Sequence, residues 1–195
     1  MQALLILAAE HRLLRRLLSC LETLVDLARR TDRLDGEATH EALALLESFA
    51  DGSHQDKEEL HLFPRLASRV SRADARRLAR LCRDHEAERR SFRSMRLNLE
   101  GACYAEPLCL DGFVFHARAY IALQRKHMAK ENLHLLPLAK RVLGEADDAR
   151  LVHDFRQVDE RSGLGDAPAR VARLCRRLSV DPRREPTPFE LHPYG

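Results

Sequence analysis

The chain has 195 residues, of which 45% are hydrophobic and 32% charged, so it can bury the core of a single domain. Aromatic residues make up only 5% and Trp is absent, which argues against an all-β fold and favours helices. The net charge of +3 is too small to imply a nucleic-acid partner. No apolar run is long enough to predict a membrane-spanning helix, so no membrane association is expected.

The cysteines predict free thiols rather than a structural framework. Their number is odd, and no two of them form a Cys-x2-Cys pair, so neither a zinc ribbon nor a set of disulfides is expected. They are Cys20, Cys82, Cys103, Cys109 and Cys175. This usage is typical of a reducing compartment and predicts a cytoplasmic protein.

Two long amphipathic helices are predicted in the first third of the chain. The first covers about residues 2–30, because apolar residues and one histidine recur there at steps of three and four. That face consists of Leu4, Leu7, His11, Leu14, Leu18, Leu21 and Val25. The second helix covers about residues 37–68, with Asp35 as its N-cap. Gly52 predicts a close approach or a local bend within it, and Pro64 a kink in its last turn.

Two further long helices follow. The third is predicted from about Ser71 to residue 100 and the fourth from about 111 to 142, joined by a connection at 101–112. Pro137 lies near the end of the fourth helix as Pro64 does in the second. Short loops between long helices indicate antiparallel neighbours, so the predicted fold is all-α, an up-down-up-down antiparallel four-helix bundle.

The C-terminal part is predicted to add shorter elements. Helices at about 145–162 and 167–179 would either pack across the bundle or make a dimer contact. Four prolines within 181–195 exclude a regular helix and predict an extended Pro-rich tail. The predicted division is therefore 1–143 for the bundle, 144–180 for the accessory helices and 181–195 for the tail.

One metal-binding pattern occurs twice. His54-x3-Glu58 and His127-x3-Glu131 lie within stretches that share seven identical residues at an offset of 73. A lone histidine precedes each copy, in Glu10-His11 and Asp84-His85. Because residues four apart share a helix face, the His and Glu of each copy project together.

Four imidazoles and two carboxylates form a suitable ligand set for a pair of borderline transition metals, with iron as the natural candidate. Glu58 and Glu131 would bridge the two ions. One ion would take His11 and His54, and the other His85 and His127. This arrangement leaves room for an oxide or hydroxide bridge and an exogenous ligand, and zinc or manganese could replace iron in a recombinant preparation.

Three neighbouring residues have several interpretations. His61 and His134 each lie seven positions after a ligand histidine, on the same helix face. They could be additional ligands, hydrogen-bonding groups around the ligands, a second metal site or polar residues at the bundle end. Tyr120 could line the cavity or be a core tyrosine. Lys57 and Lys130 are expected to point outward.

The order and spacing of these residues resemble the hemerythrin-like family, also called the HHE cation-binding domain. The family pattern is a His, then His-x3-Glu followed by Leu-Phe-Pro, then a lone His and a second His-x3-Glu; the match covers about residues 1–143. The resemblance implies a non-haem di-iron centre in a four-helix bundle. Oxygen-carrying hemerythrins use five histidines and a His-x4-Asp pair, whereas both pairs here are His-x3-Glu. That departure favours redox chemistry or nitric oxide binding over reversible oxygen storage.

Three functions remain open at this stage. The first is a di-iron protein that binds oxygen, nitric oxide or peroxide in sensing of, or protection from, oxidative or nitrosative stress. The second is a di-iron enzyme with peroxidase-like or iron–sulfur cluster repair activity. The ligand intervals resemble the C-terminal domain of such repair proteins, whose N-terminal cysteine-containing domain this sequence lacks. The third is an iron-responsive regulatory module, with a homodimer or a regulatory protein as its partner.

Overall fold

A computed structural model of the protein describes residues 1–163 and 165–180, and every regular element within them is helical. The predicted Pro-rich tail at 181–195 lies outside the described residues. The all-α prediction is confirmed, and the helices form a bundle.

The first half of the bundle follows the predicted helices closely. Helix α1 runs over Gln2–Thr31, and its predicted inner face is buried. The second long helix begins with α2 (Gly36–Leu46), where the Asp35 carboxylate accepts a hydrogen bond from the amide of Ala38 at 3.0 Å, as an N-cap should. It ends with α3 (Phe63–Ala67).

Wider π-helical turns interrupt the two helices that carry the duplicated pattern. They cover Glu47–Gln55 and Lys57–Leu62 in the second long helix and Glu131–Leu135 in the fourth. A proline follows the last two segments by two positions, and its ring would clash with the carbonyl four residues earlier in an ideal α-helix. The wider turn relieves that clash: the amides before Pro64 and Pro137 donate to the carbonyls of Glu58 and Glu131. Such segments occur frequently at functional sites.

The second half contains one correction. Helix α4 (Arg72–Leu97) continues after a break at Asn98 into the short α5 (Leu99–Cys103), and α6 already begins at Pro107. The predicted connection at 101–112 is therefore wrong, because proline at the first position of a helix sacrifices no intrahelical hydrogen bond and so starts α6. The fourth long helix ends with α7 (Leu136–Val142).

The accessory helices α8 (Glu145–Ser162) and α9 (Ala167–Arg177) lie close to the predicted ranges. Helix α8 packs against α1 and the π segments of the second long helix, and α9 packs against α1 and α2. Among the helices that the structure describes, none is both long and apolar enough to cross a membrane.

The apolar core is divided into two clusters with a polar layer between them. Within α1, Leu7 belongs to one cluster and Leu14 to the other, and His11 lies between them. The same order holds for His85, between Leu81 and Phe92 on α4. The two clusters thus close the polar layer from both ends of the bundle.

Candidate metal centre

Six ionisable side chains from the four long helices meet in this polar layer. Their relative exposure is between 0 and 2%, which is unusual for such groups unless they are paired or bind a cation. They are His11, His54, Glu58, His85, His127 and Glu131. The sequence-predicted ligand candidates are thus brought together at one buried place.

The six side chains form two groups that share both glutamates. One group is His11, His54, Glu58 and Glu131, and the other is Glu58, His85, His127 and Glu131; within each, the potential ligand atoms lie within 4.8 Å of one another. Each histidine directs Nε2 inward. The distance from His11 Nε2 to Glu131 Oε2 is 3.2 Å, and from His85 Nε2 to Glu58 Oε2 3.3 Å.

The opposite ring nitrogens point to oxygen atoms around the centre. His54 Nδ1 lies 2.8 Å from Glu10 Oε2, and His85 Nδ1 lies 2.6 Å from Glu59 Oε1. His11 Nδ1 lies 3.0 Å from Asn132 Oδ1. Such contacts fix the tautomer and rotation of a metal-binding imidazole with Nε2 free to ligate.

These contacts repeat the internal duplication. Glu10 and Asp84 occupy matching positions, directly before His11 and His85 in the sequence. Each carboxylate faces a histidine other than the one that follows it: the carboxylate of Glu10 faces His54, and that of Asp84 faces His127. At 3.7 Å, the Asp84–His127 contact is an ion-pair distance longer than a hydrogen bond. Glu59 and Asn132 each follow a central glutamate. The sequence shows that Glu10 and Asp84 match, but it did not predict that oxygen atoms of these residues lie around the ligand histidines.

The arrangement leaves buried polar atoms without hydrogen bonds, although most buried polar groups have partners. Among the described residues, no hydrogen bond reaches either carboxylate oxygen of Glu58 or Glu131, or Nε2 of His11 and His54. Two such pairs lie within ion-pair distance without forming a hydrogen bond: His11 Nε2 and Glu131 Oε2 at 3.2 Å, and His54 Nε2 and Glu58 Oε1 at 3.9 Å. His85 Nε2 and His127 Nε2 are 2.7 Å apart, so they must share a proton or a cation. The donor set therefore fits metal ions at the centre.

Comparison with known proteins identifies the family. The family description "Hemerythrin HHE cation binding domain" matches residues 3–139. The chain belongs to the hemerythrin HHE cation-binding family. No curated protein and no solved structure matches the chain. The family match and the buried clusters together support metal binding by this hemerythrin-type domain.

At the hemerythrin-type centre, the pKa values of His85 and Glu131 are both shifted toward the charged form of the side chain. Burial lowers the pKa of His85, but the nearby carboxylates of Glu58 and Glu59 outweigh it and raise the pKa to about 9. Burial raises the pKa of Glu131, but His127 and His11 hold it well below its usual range. Burial also opposes a charge on His54 and His127, but the neighbouring glutamates raise the pKa of both, which favours protonated imidazoles in the absence of metal. A metal ion must displace those protons.

Lys57 corrects the sequence analysis. It was expected to point outward, yet it is fully buried, and its ammonium pairs with Glu10 and with Asp159 of α8. The counterpart Lys130 pairs with Asp84 but keeps 38% of its side chain exposed. The prediction failed because α8 packs over Lys57. The residues around Lys57 in the sequence give no sign that a distant helix covers it.

The three residues with open interpretations lie outside both ligand groups. His61 Nδ1 is 3.5 Å from Asp154 Oδ2 on α8, and His134 is exposed. Tyr120 is buried against Phe92, with a ring-centroid distance of 5.6 Å, and its hydroxyl lies 3.3 Å from the Gln124 amide. This placement is that of a core tyrosine.

Glu88 is a buried carboxyl group beside the centre that the sequence analysis missed. One of its oxygens accepts hydrogen bonds from Gln55 at 2.8 Å and Gln124 at 2.9 Å. The other oxygen lies 4.0 Å from His127 Nδ1. Burial raises the pKa of Glu88 to about 7, so near neutral pH it can hold or release a proton close to the centre. Its position three residues after His85, on the same face of α4, was the available signal.

Proposed function

We propose that the centre binds two iron ions bridged by Glu58 and Glu131. In this proposal one ion takes His11 and His54, and the other takes His85 and His127. The observation that carries it is the presence of two ligand groups that share both glutamates and differ only in their histidines. Four protein ligands per ion leave coordination positions open for a small molecule.

The protein's own contribution is orientation and enclosure. The outer oxygens of Glu10, Glu59 and Asn132 hold three imidazole rings in place from behind. The ring of Phe63 stacks on His85 with a centroid distance of 6.0 Å, and the apolar clusters on both sides limit access by water. Iron, when bound, would supply a redox-active Lewis acid at this enclosed place.

The proposed function is binding of oxygen, nitric oxide or peroxide, in sensing of, or protection from, oxidative or nitrosative stress. Burial of all six side chains supports a small ligand, because a larger substrate could not reach them without displacing the core. The second candidate is a di-iron enzyme with peroxidase-like activity. Glu88 favours it, because a carboxyl group with a pKa of about 7 near His127 suits general acid–base chemistry.

We further propose an up-down-up-down order for the four long helices and a cytoplasmic location. Consecutive packing of α1 on α2, α4 on α6 and α1 on α6 supports the first proposal. Five cysteines without a disulfide support the second. We also propose residues 1–143 as the metal-binding unit and 144–180 as an accessory unit, since the family match ends at residue 139.

The test is elemental analysis of the full chain purified from iron-rich medium, with an ultraviolet–visible spectrum of the same sample. Two irons per chain with a near-ultraviolet oxo-bridge band would support the proposal. Two zinc or manganese ions per chain would support a binuclear site but contradict the choice of iron. Negligible metal after anaerobic reconstitution would refute the site. Turnover of peroxide at a rate that tracks iron content would favour the enzyme, whereas a spectral change without turnover would favour ligand binding.

A further inference from the structure

Two buried cysteines that are far apart in sequence meet where α9 packs on α1. Cys20 of α1 and Cys175 of α9 have their Sγ atoms 3.0 Å apart. Cys20 is fully buried and Cys175 is 3% exposed, and both belong to the larger apolar cluster. The two residues are 155 positions apart, so the fold itself creates this contact.

The surroundings distinguish the two sulfur atoms. The Cys175 thiol lies 4.0 Å from the carbonyl of Arg16, one turn before Cys20 on α1. The hydrogen bond with Cys20 and the positive charge of Arg16 lower the pKa of Cys175 below its usual range, although burial opposes this. The hydrogen bond to Cys175 and burial raise the pKa of Cys20. Cys175 is therefore the better nucleophile and Cys20 the natural second thiol.

A surface groove lies next to this contact, on the side of Arg16. The groove, of about 500 Å³, is lined by Leu13 and Arg16 of α1 and by Pro168 at the start of α9. Arg16 thus lies both in the groove and beside Cys175. Cys175 keeps 3% exposure, so the oxidant would have to be as small as hydrogen peroxide to reach the pair.

The other cysteines lack these features. Cys109 donates a hydrogen bond to Glu106 at 3.4 Å, and that bond raises its pKa. Burial raises the pKa of Cys82 and of Cys103. Among the described residues, the contact between Cys20 and Cys175 is the one thiol pair within hydrogen-bonding distance.

We propose that Cys20 and Cys175 form a reversible dithiol–disulfide pair that a peroxide closes, locking α9 onto α1. Cys175 releases its proton to solvent, and its thiolate attacks one peroxide oxygen; the O–O bond breaks, a sulfenic acid forms on Cys175, and the departing hydroxide takes up a proton from solvent as the first water. The Cys20 sulfur then attacks that sulfur, the S–O bond breaks, and the released hydroxide takes the Cys20 proton as water. The two thiols lose two electrons in total, and one peroxide becomes two water molecules.

The test is peptide mapping of the reduced, full-length protein after mild treatment with hydrogen peroxide. Free thiols are alkylated in denaturant, the chain is digested, and the peptides are identified by mass spectrometry. We expect one linked peptide pair that contains Cys20 and Cys175, two hydrogens lighter than the separate peptides and restored by a thiol reductant. Because this disulfide would close a long loop in the unfolded chain, the oxidised form should melt roughly 5–15 °C higher than the reduced form.

Two variants sharpen the test. Cys175→Ser should abolish the linked peptide and the gain in melting temperature, whereas the matched control Cys109→Ser should retain both. Recovery of Cys20 and Cys175 as free thiols while Cys103 or Cys109 is oxidised would overturn the proposal. Recovery of Cys175 only as sulfinic acid would overturn it as well, since Cys20 would then not have reacted with it. The wild-type map decides the question even if Cys175→Ser does not fold, and a second map of chelated protein separates the thiol reaction from any reaction of peroxide at a bound metal.

Discussion

The bridging role proposed for Glu58 can be tested by the substitution Glu58→Gln. The glutamine keeps the shape of the side chain but removes its charge and one of the two oxygens that a bridge requires. Glu58 is fully buried and belongs to both ligand groups, so its loss should weaken both metal positions. We expect bound metal to fall from two ions per chain to one or none, and Glu131→Gln should behave in the same way.

The expected effect on stability follows from linkage. At a free metal concentration 100 times the dissociation constant, one bound ion stabilises the folded state by about 2.7 kcal/mol, and two independent ions by about 5 kcal/mol. For a chain of 195 residues, each kcal/mol shifts the melting temperature by about 2–4 °C. Metal should therefore raise the melting temperature of the wild type by roughly 10–20 °C, and Glu58→Gln should lose half or more of that gain.

The assay compares the melting temperature of metal-loaded and chelated samples by calorimetry, with elemental analysis of each loaded sample. Taking the difference removes any effect of the substitution on the metal-free protein. Glu86→Gln on α4 is the matched control, because that side chain is 61% exposed and should leave both quantities unchanged. If Glu58→Gln and Glu131→Gln both keep two ions and the full metal-dependent gain, the bridging assignment is wrong.

Three further predictions concern the surroundings of the centre. Lys57→Met should destabilise the protein by about 3–5 kcal/mol in urea unfolding, because it removes the ammonium group from buried Glu10 and leaves that carboxylate with only the His54 imidazole as a partner. The more exposed Lys130→Met should change stability by less than about 1 kcal/mol. Similar values for the two variants would contradict the inferred role of burial. Metal affinity should rise with pH from neutral to at least about 9, since His85, whose pKa is raised to about 9 without metal, must lose its proton to ligate. Titration at three pH values with measured proton release checks this, and a pH-independent affinity would argue against imidazole ligands. His61→Ala and His134→Ala should each keep two metal ions per chain by elemental analysis, because neither residue belongs to a ligand group; loss of an ion would make the residue a ligand.

Much of the centre could be predicted because helix geometry is local. A repeat of three and four residues fixes which side chains share a face, so the inward direction of His54 and Glu58 follows from their spacing alone. Because the pattern occurs twice at a constant offset, it also predicted that two such helices contribute ligands to the same site. The family match agrees with that interpretation. The π segments were not predicted, because an i, i+4 pattern is compatible with both α and π turns.

The contacts around the centre were decided only in three dimensions. A hydrogen bond such as that from His54 to Glu10 depends on the rotation, tilt and register of two neighbouring helices, which no local pattern encodes. Lys57 is buried because α8 brings Asp159 to it from 102 residues further along the chain. Cys20 and Cys175 likewise meet only because α9 packs back onto α1. The sequence by itself determined the helices and the inward-facing residues on each, whereas tertiary packing determined which residues from different helices meet.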